Sequence, residues 1–341
     1  MAKVPTLNSA NRRSRRLVMP SGATAATRGA FGPTLIKLAE EGLPIVVVDA
    51  DLGKSTTSRD FQKVYPERFI TVGIAEANMI GVSAGLAACG KTAFCSTFGV
   101  FMPGRCFDQI RVSVAQTGLN VKMVASHGGI SVGEDGISAQ AIEDLSLMCS
   151  LNGMNVLVPA DIVEARQAIE LAARTDGPFY IRTGRPKIPV LYEENYTLQL
   201  GKAHMLRDGS DATIIACGLM VARALDAAES LASEGVTCRV LNMSTLRPLD
   251  EDAIVRAARE TGAIVTAEEH ETRLGLYALV AGVVGSKYPT TMGGVGMKDR
   301  YAESGKWDEV LEKYGLTAEG IVKEVKAVLA RKSSAGRDGH R

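Results

Sequence analysis

Paired cysteines, long apolar runs and a charge bias are all missing from this chain of 341 residues, and each absence narrows what it can be. The six cysteines, Cys89, Cys95, Cys106, Cys149, Cys217 and Cys238, stand singly inside strand-like or helix-like runs with no CxxC pair. They read as reduced core residues of a cytoplasmic protein, not as a disulfide framework or a thiol nucleophile. No apolar stretch reaches the roughly 18 residues needed to span a bilayer. The amino end, MAKVPTLNSANRRSRRLVMPSG, is basic but has no apolar core behind its arginines, so it does not read as a secretory signal. With a formal net charge of +1 there is no electrostatic case for nucleic acid or a membrane as the main partner. Aromatic residues are few, at 5%, and glycines many, at 35, which suits an α/β protein with many strand-to-helix turns.

What is present is a repeated alternation of strand and helix. Helical spacing runs from Thr24 to Glu41 and is followed by the strand PIVVVDAD. Next come FITV with a small-residue helix, KTAFCST with a helix from Val100 to about Ala115, and VKMVAS ending at His127. NVLVPA, DIVEARQAIELAAR and PFYIR complete the first series. Fully apolar strands imply a sheet covered on both faces, and the alternation implies a doubly wound, mostly parallel one. Between Arg185 and Gly201 the text changes to RPKIPVLYEENYTLQLG, which has two prolines and no helical period. The expected layout is a flexible basic arm over 1–19, a first domain over 20–186, a linker over 187–200, a smaller three-layer α/β domain over 201–330 and a disordered tail over 331–341.

Chemistry-bearing residues gather at the strand ends of the first domain. Asp51 and Ser55 follow one strand, Glu76 the next, Phe98 and Phe101 the third, His127 and Asp135 the fourth, and Arg182 or Arg185 the last. In a doubly wound sheet these loops share one rim, so five segments are expected to face one crevice. Glu76, flanked by Ile74, Ala75 and Met79, reads either as an acid that stabilises its helix start or as a carboxyl kept protonated by apolar surroundings. In the second domain Glu268, Glu269 and His270 close a strand and read as surface or interface residues.

The order of these segments resembles the transketolase family. Matching stretches are VVDADL with Ser55, VGIAEANM, STFGVFMPGR followed by DQIR, SHGGISVGEDG and, in the second domain, GVGMKDRYAESG, which together span about residues 20–330. The resemblance implies a pyrimidine-binding domain followed by the family's carboxy-terminal domain. Missing from the sequence is the GDG-to-Asn signature that holds magnesium and the diphosphate tail of the cofactor. The chain therefore resembles the carboxy-terminal subunit of a split transketolase, completed by a diphosphate-binding partner in a heterotetramer with two chains of each kind.

By that resemblance the activity is thiamine diphosphate-dependent transfer of a two-carbon ketol group from a ketose phosphate to an aldose phosphate, with magnesium held by the partner. Glu76 would bond the cofactor's aminopyrimidine ring, Phe98 and Phe101 would form its aromatic wall, and Asp51 and Leu52 would lie beside it. His127 and Asp135 would touch the sugar hydroxyls, while Arg28, Ser55 and Arg185 or Arg182 would hold a phosphate, Arg185 being favoured. The chain departs from the pattern at Gly104, where a tyrosine is usual, and at Ala139, where a histidine is usual. Two other readings stay open: the beta subunit of a 2-oxoacid dehydrogenase's decarboxylating component, and a catalytically silent partner subunit.

Overall fold

The structure is a computed structural model that describes residues 15–16 and 22–338. Seven strands form the first sheet, in the spatial order Thr245–Arg247, Asn155–Leu157, Phe179–Arg182, Val121–Ser126, Thr92–Phe98, Ile45–Asp49 and Phe69–Thr71. All neighbours are parallel except Thr245–Arg247, which pairs antiparallel with Asn155–Leu157. The inner strands are buried almost throughout, Val121–Ser126 from end to end and Thr92–Phe98 up to its last residue, because helices cover both faces. After Ile45–Asp49 the chain steps out to the edge strand and then crosses back to Thr92–Phe98. That reversal opens a crevice between the loops that follow Asp49 and Phe98.

A second sheet has the order Arg15–Arg16, His204–Asp208, Cys238–Asn242, Ala212–Ala216, Ala263–Glu271 and Thr291–Met297. The expected α/β class with mostly parallel sheets is met, with one addition that local pattern does not contain. Thr245–Arg247 lies in the second half of the chain yet extends the first half's sheet, so Val156 and Tyr180 share one apolar core with Ile215, Leu241 and Met243. The basic arm expected over 1–19 falls outside the described residues apart from Arg15–Arg16, which pairs with His204–Asp208. At the other end, the helix Ala318–Asp338 runs into the stretch expected as tail.

Side-chain caps begin two of the helices. Asp161 caps the helix Ile162–Arg174 by accepting from Glu164 N at 2.8 Å, and Glu164 reaches back to Ala160 N at 2.7 Å. Asp250 caps Glu251–Thr261, which stops at Gly262 in the left-handed region. Two segments differ from their expected form. The helical spacing from Thr24 resolves into a short strand, Thr24–Ala25, a 3₁₀ turn and the helix Phe31–Glu40. The helix expected from Val100 to about Ala115 is α-helical over Phe101–Gln109 and opens into a π turn over Ile110–Ala115, where Gln116 N reaches back five residues to Arg111 O at 3.0 Å.

The proline-bearing stretch 187–200 is tied down. Asp161 Oδ2 accepts from Leu191 N at 2.7 Å and Tyr192 N at 2.8 Å, and Asn242 Nδ2 bonds both Glu164 and Tyr192. No helix among the described residues is long and apolar enough to cross a membrane.

Candidate functional site

The crevice is built where the strand Phe69–Thr71 feeds the helix Glu76–Ala88. That helix has no proline and is apolar on all sides, so it packs flat against the sheet and presents Glu76 in its first turn. Glu76 is 5% exposed. Its Oε1 accepts from Arg105 Nη1 at 2.6 Å, so the carboxyl sits against a guanidinium and not in the wholly apolar pocket expected from its neighbours. Ile74 in fact points outward, 77% exposed. Arg105 is the residue that sequence reasoning missed. Phe101 and Arg105 are four apart on one helix, a spacing that puts them on the same face, and the guanidinium lies 3.9 Å from the Phe101 ring centroid.

Phe98 and Phe101 stack with centroids 5.7 Å apart and planes inclined by 14°. His127 extends the slab, stacking on Phe98 at 4.0 Å. A Cβ added at Gly104 would meet nothing within 4 Å, so the place of the usual tyrosine is open space beside this wall. A buried carboxyl at the foot of a flat aromatic face fits a heteroaromatic ring with a hydrogen-bonding edge. Arg105, whose side chain is 48% exposed, is long and free enough to yield its position to such a ring.

His127 closes Val121–Ser126 in the left-handed region, with φ 63°, and Asp51 has the same φ just past Ile45–Asp49. Non-glycine residues rarely adopt that conformation, and such outliers cluster at functional sites. Burial, with the charges of Arg28 and Arg185, pushes His127 down to about 3, so its ring is neutral at any physiological pH. Burial, together with the charge of Arg185, lowers Arg28. Arg28 Nη1 donates to Ser55 O at 2.5 Å, and no ion pair to Arg28 is found among the described residues. Arg185 donates to Val132 O at 2.5 Å and lies 3.1 Å from Glu134 and 3.8 Å from Asp135. Asp135 is exposed on the rim, and Asp51 and Leu52 lead into the short helix Gly53–Thr56 that carries Ser55.

The structure thus brings Arg28, Ser55, His127, Asp135 and Arg185 to one corner, and Glu76, Phe98 and Phe101 to the adjoining wall. Arg182 does not join them. It is 4% exposed, its Nη2 donates to Ala141 O at 2.6 Å and Glu269 O at 2.9 Å, and its Nε lies 3.0 Å from Asp144. A guanidinium so occupied is not available to a substrate anion, which leaves Arg185 as the candidate. Of the two readings of Glu268, Glu269 and His270, surface or interface, the second holds. All three are buried where the second domain meets the first, because Ala263–Glu271 is covered along its whole length.

Burial pushes Glu268 up to about 8 and Glu269 up to about 7, and pushes His270 down to about 3. Glu268 accepts from the first amides of the next helix, Leu276 N at 2.6 Å and Tyr277 N at 2.8 Å. All six cysteines are free. Among the described residues no group of three His, Cys, Asp or Glu side chains is placed to hold a metal ion.

Residues 23–190 match the family described as transketolase, pyrimidine binding domain, and residues 201–321 match transketolase, C-terminal domain. The chain is 43% identical to the 6-deoxy-6-sulfo-D-fructose transketolase subunit of Clostridium sp. (strain MSTE9), over 90% of this chain and 95% of that one. It is 38% identical to an apulose-4-phosphate transketolase subunit of Phocaeicola vulgatus, over 87% and 96% of the two chains. Among solved structures, one described as a split gene transketolase, inactive beta4 tetramer, superposes with a TM-score of 0.83 at 45% identity. It covers 91% of this chain and 100% of that one.

Proposed function

The chain belongs to the transketolase family as a transketolase-like transferase subunit, and from that premise we propose that it moves a two-carbon ketol group from a ketose phosphate to an aldose phosphate once joined to a diphosphate-binding partner. The family depends on thiamine diphosphate. When bound, that cofactor supplies the nucleophilic carbon that takes up the two-carbon unit.

In this reading Glu76 holds the edge of the cofactor's aminopyrimidine ring, Phe98 and Phe101 carry its face, and Asp51 and Leu52 line the loop beside it. Arg105 gives up its bond to Glu76 as the ring arrives. His127, neutral because it is buried among cations, holds and passes a hydroxyl proton of the sugar, and the Asp135 carboxylate orients a second hydroxyl. Arg28 and Arg185 bind the phosphate, for which paired guanidinium donors are well shaped, with Ser55 beside them. The observation that carries the reading is the His127–Phe98 stack, which joins the ring wall to the histidine on which the charges of Arg28 and Arg185 act.

Magnesium and the diphosphate tail are assigned to the partner, because the GDG-to-Asn signature is not in this sequence. The assembly is a heterotetramer with two chains of each kind, and its place is the cytoplasm, in keeping with six free cysteines. Mixing the chain with a diphosphate-binding subunit, thiamine diphosphate and magnesium should give ketol transfer between sugar phosphates, while this chain alone should give none. Turnover by the chain alone would overturn the divided site. Consumption of pyruvate in place of a ketose phosphate would favour the 2-oxoacid dehydrogenase subunit.

A further inference from the structure

His127 has a left-handed backbone, a conformation unfavourable for a side chain with a Cβ, and the residues that follow it are held from outside. Arg182 and Glu269 do the holding. A Cβ at Gly128 would collide with the Arg182 side chain, and a Cβ at Gly129 would collide with the Glu269 carboxyl. Glu269 Oε1 accepts from Ser131 N, and the Glu269 carbonyl accepts from Arg182 Nη2 at 2.9 Å. The same guanidinium nitrogen donates to Ala141 O, the carbonyl that also receives Gly129 N at 2.8 Å. A carboxyl from the second domain therefore reaches past two glycines to fix the start of the loop whose other end carries Asp135.

We propose that Glu269 is a positioning residue for the substrate site: by accepting from Ser131 N it sets the places of His127 and Asp135 and makes the second domain part of that site. The inference rests on the ketol-transfer reading for its functional consequence, but its geometric content does not depend on it. Hydrogen exchange on the full chain without a partner tests the geometry. Glu269→Ala should speed exchange over 128–136 by about tenfold or more, the helix Glu76–Ala88 should be unchanged, and Glu269→Gln, which keeps an acceptor oxygen, should stay close to wild type.

In the assembled complex Glu269→Ala should raise KM for the donor sugar about tenfold, more than it lowers kcat, and Glu269→Gln should restore KM. Wild-type exchange over 128–136 in Glu269→Ala, acceleration spread evenly over the chain, or a fall in kcat at unchanged KM would each overturn the inference. Should the wild-type complex transfer no ketol group, the proposed function fails, and the exchange experiment still decides the role of Glu269.

Discussion

Two clusters of ionisable groups stand at strand ends in this molecule, and they have opposite characters. The rim cluster, Glu76, Arg105, His127, Arg28 and Arg185, sets two buried members, Glu76 and His127, beside half-exposed cations such as Arg105 and Arg185. The seam cluster, Asp144, Arg182, Glu268, Glu269 and His270, is sealed between the domains, with Arg182 bonded or paired to Ala141, Glu269 and Asp144. The rim fits the rule that function gathers at the carboxyl ends of parallel strands, while the seam lies near such ends without opening to a ligand. What separates them is whether a charge has spent its bonds inside the protein.

The largest effect expected from that difference is on the rim. Glu76→Ala should lower kcat of the assembled complex by about 10²- to 10⁴-fold, with little change in the unfolding midpoint, because the Arg105 pair it breaks is half exposed and contributes little. Unchanged activity would sink the role of Glu76 and favour a silent subunit. Next is the seam. Arg182→Ala removes the cation beside Asp144 in a dry interior, leaving the Tyr180 hydroxyl as its side-chain donor, and should cost about 3–5 kcal/mol of stability, seen as a drop in denaturant midpoint. A variant as stable as wild type would mean that the seam is wetter than its burial implies.

Arg185→Ala should keep the fold and raise KM for the phosphorylated acceptor by about ten- to a hundredfold, the loss of one charged hydrogen bond. If KM holds and only stability falls, Arg185 belongs with the seam. The smallest effect is in pH dependence. Glu268 is raised from 4.5 to about 8, so its contribution to stability is whole below 4.5 and is lost as pH rises through about 8. Between pH 5 and 8 the wild-type unfolding midpoint should therefore fall relative to Glu268→Gln. Parallel curves would show that Glu268 ionises as it does in the unfolded chain.

Much of the fold was legible because it is written in local period. Strands such as Thr92–Phe98 and helices such as Glu76–Ala88 follow from runs of apolar residues between turns, and the parallel order follows from their alternation. The rim could be read in the same way, since a residue just past a strand end must lie on that side of the sheet. Arg105 was hidden because its importance depends on a partner 29 residues away, Glu76, although its i, i+4 relation to Phe101 was in plain view. The strand Thr245–Arg247 was hidden for a related reason: three residues carry no period, and their place in the other domain's sheet is a long-range pairing.

By itself, then, the order of residues determined the elements, the side of the sheet on which the loops collect and the family to which those loops are similar, since each depends on neighbours within a few positions. Only the folded chain decided which charges remain available. Arg182 and Arg185 stand three residues apart at the end of one strand, and one is consumed by the domain seam while the other faces the crevice. That division is a matter of desolvation and of bonds to distant segments, quantities that exist only once the two domains have closed on each other.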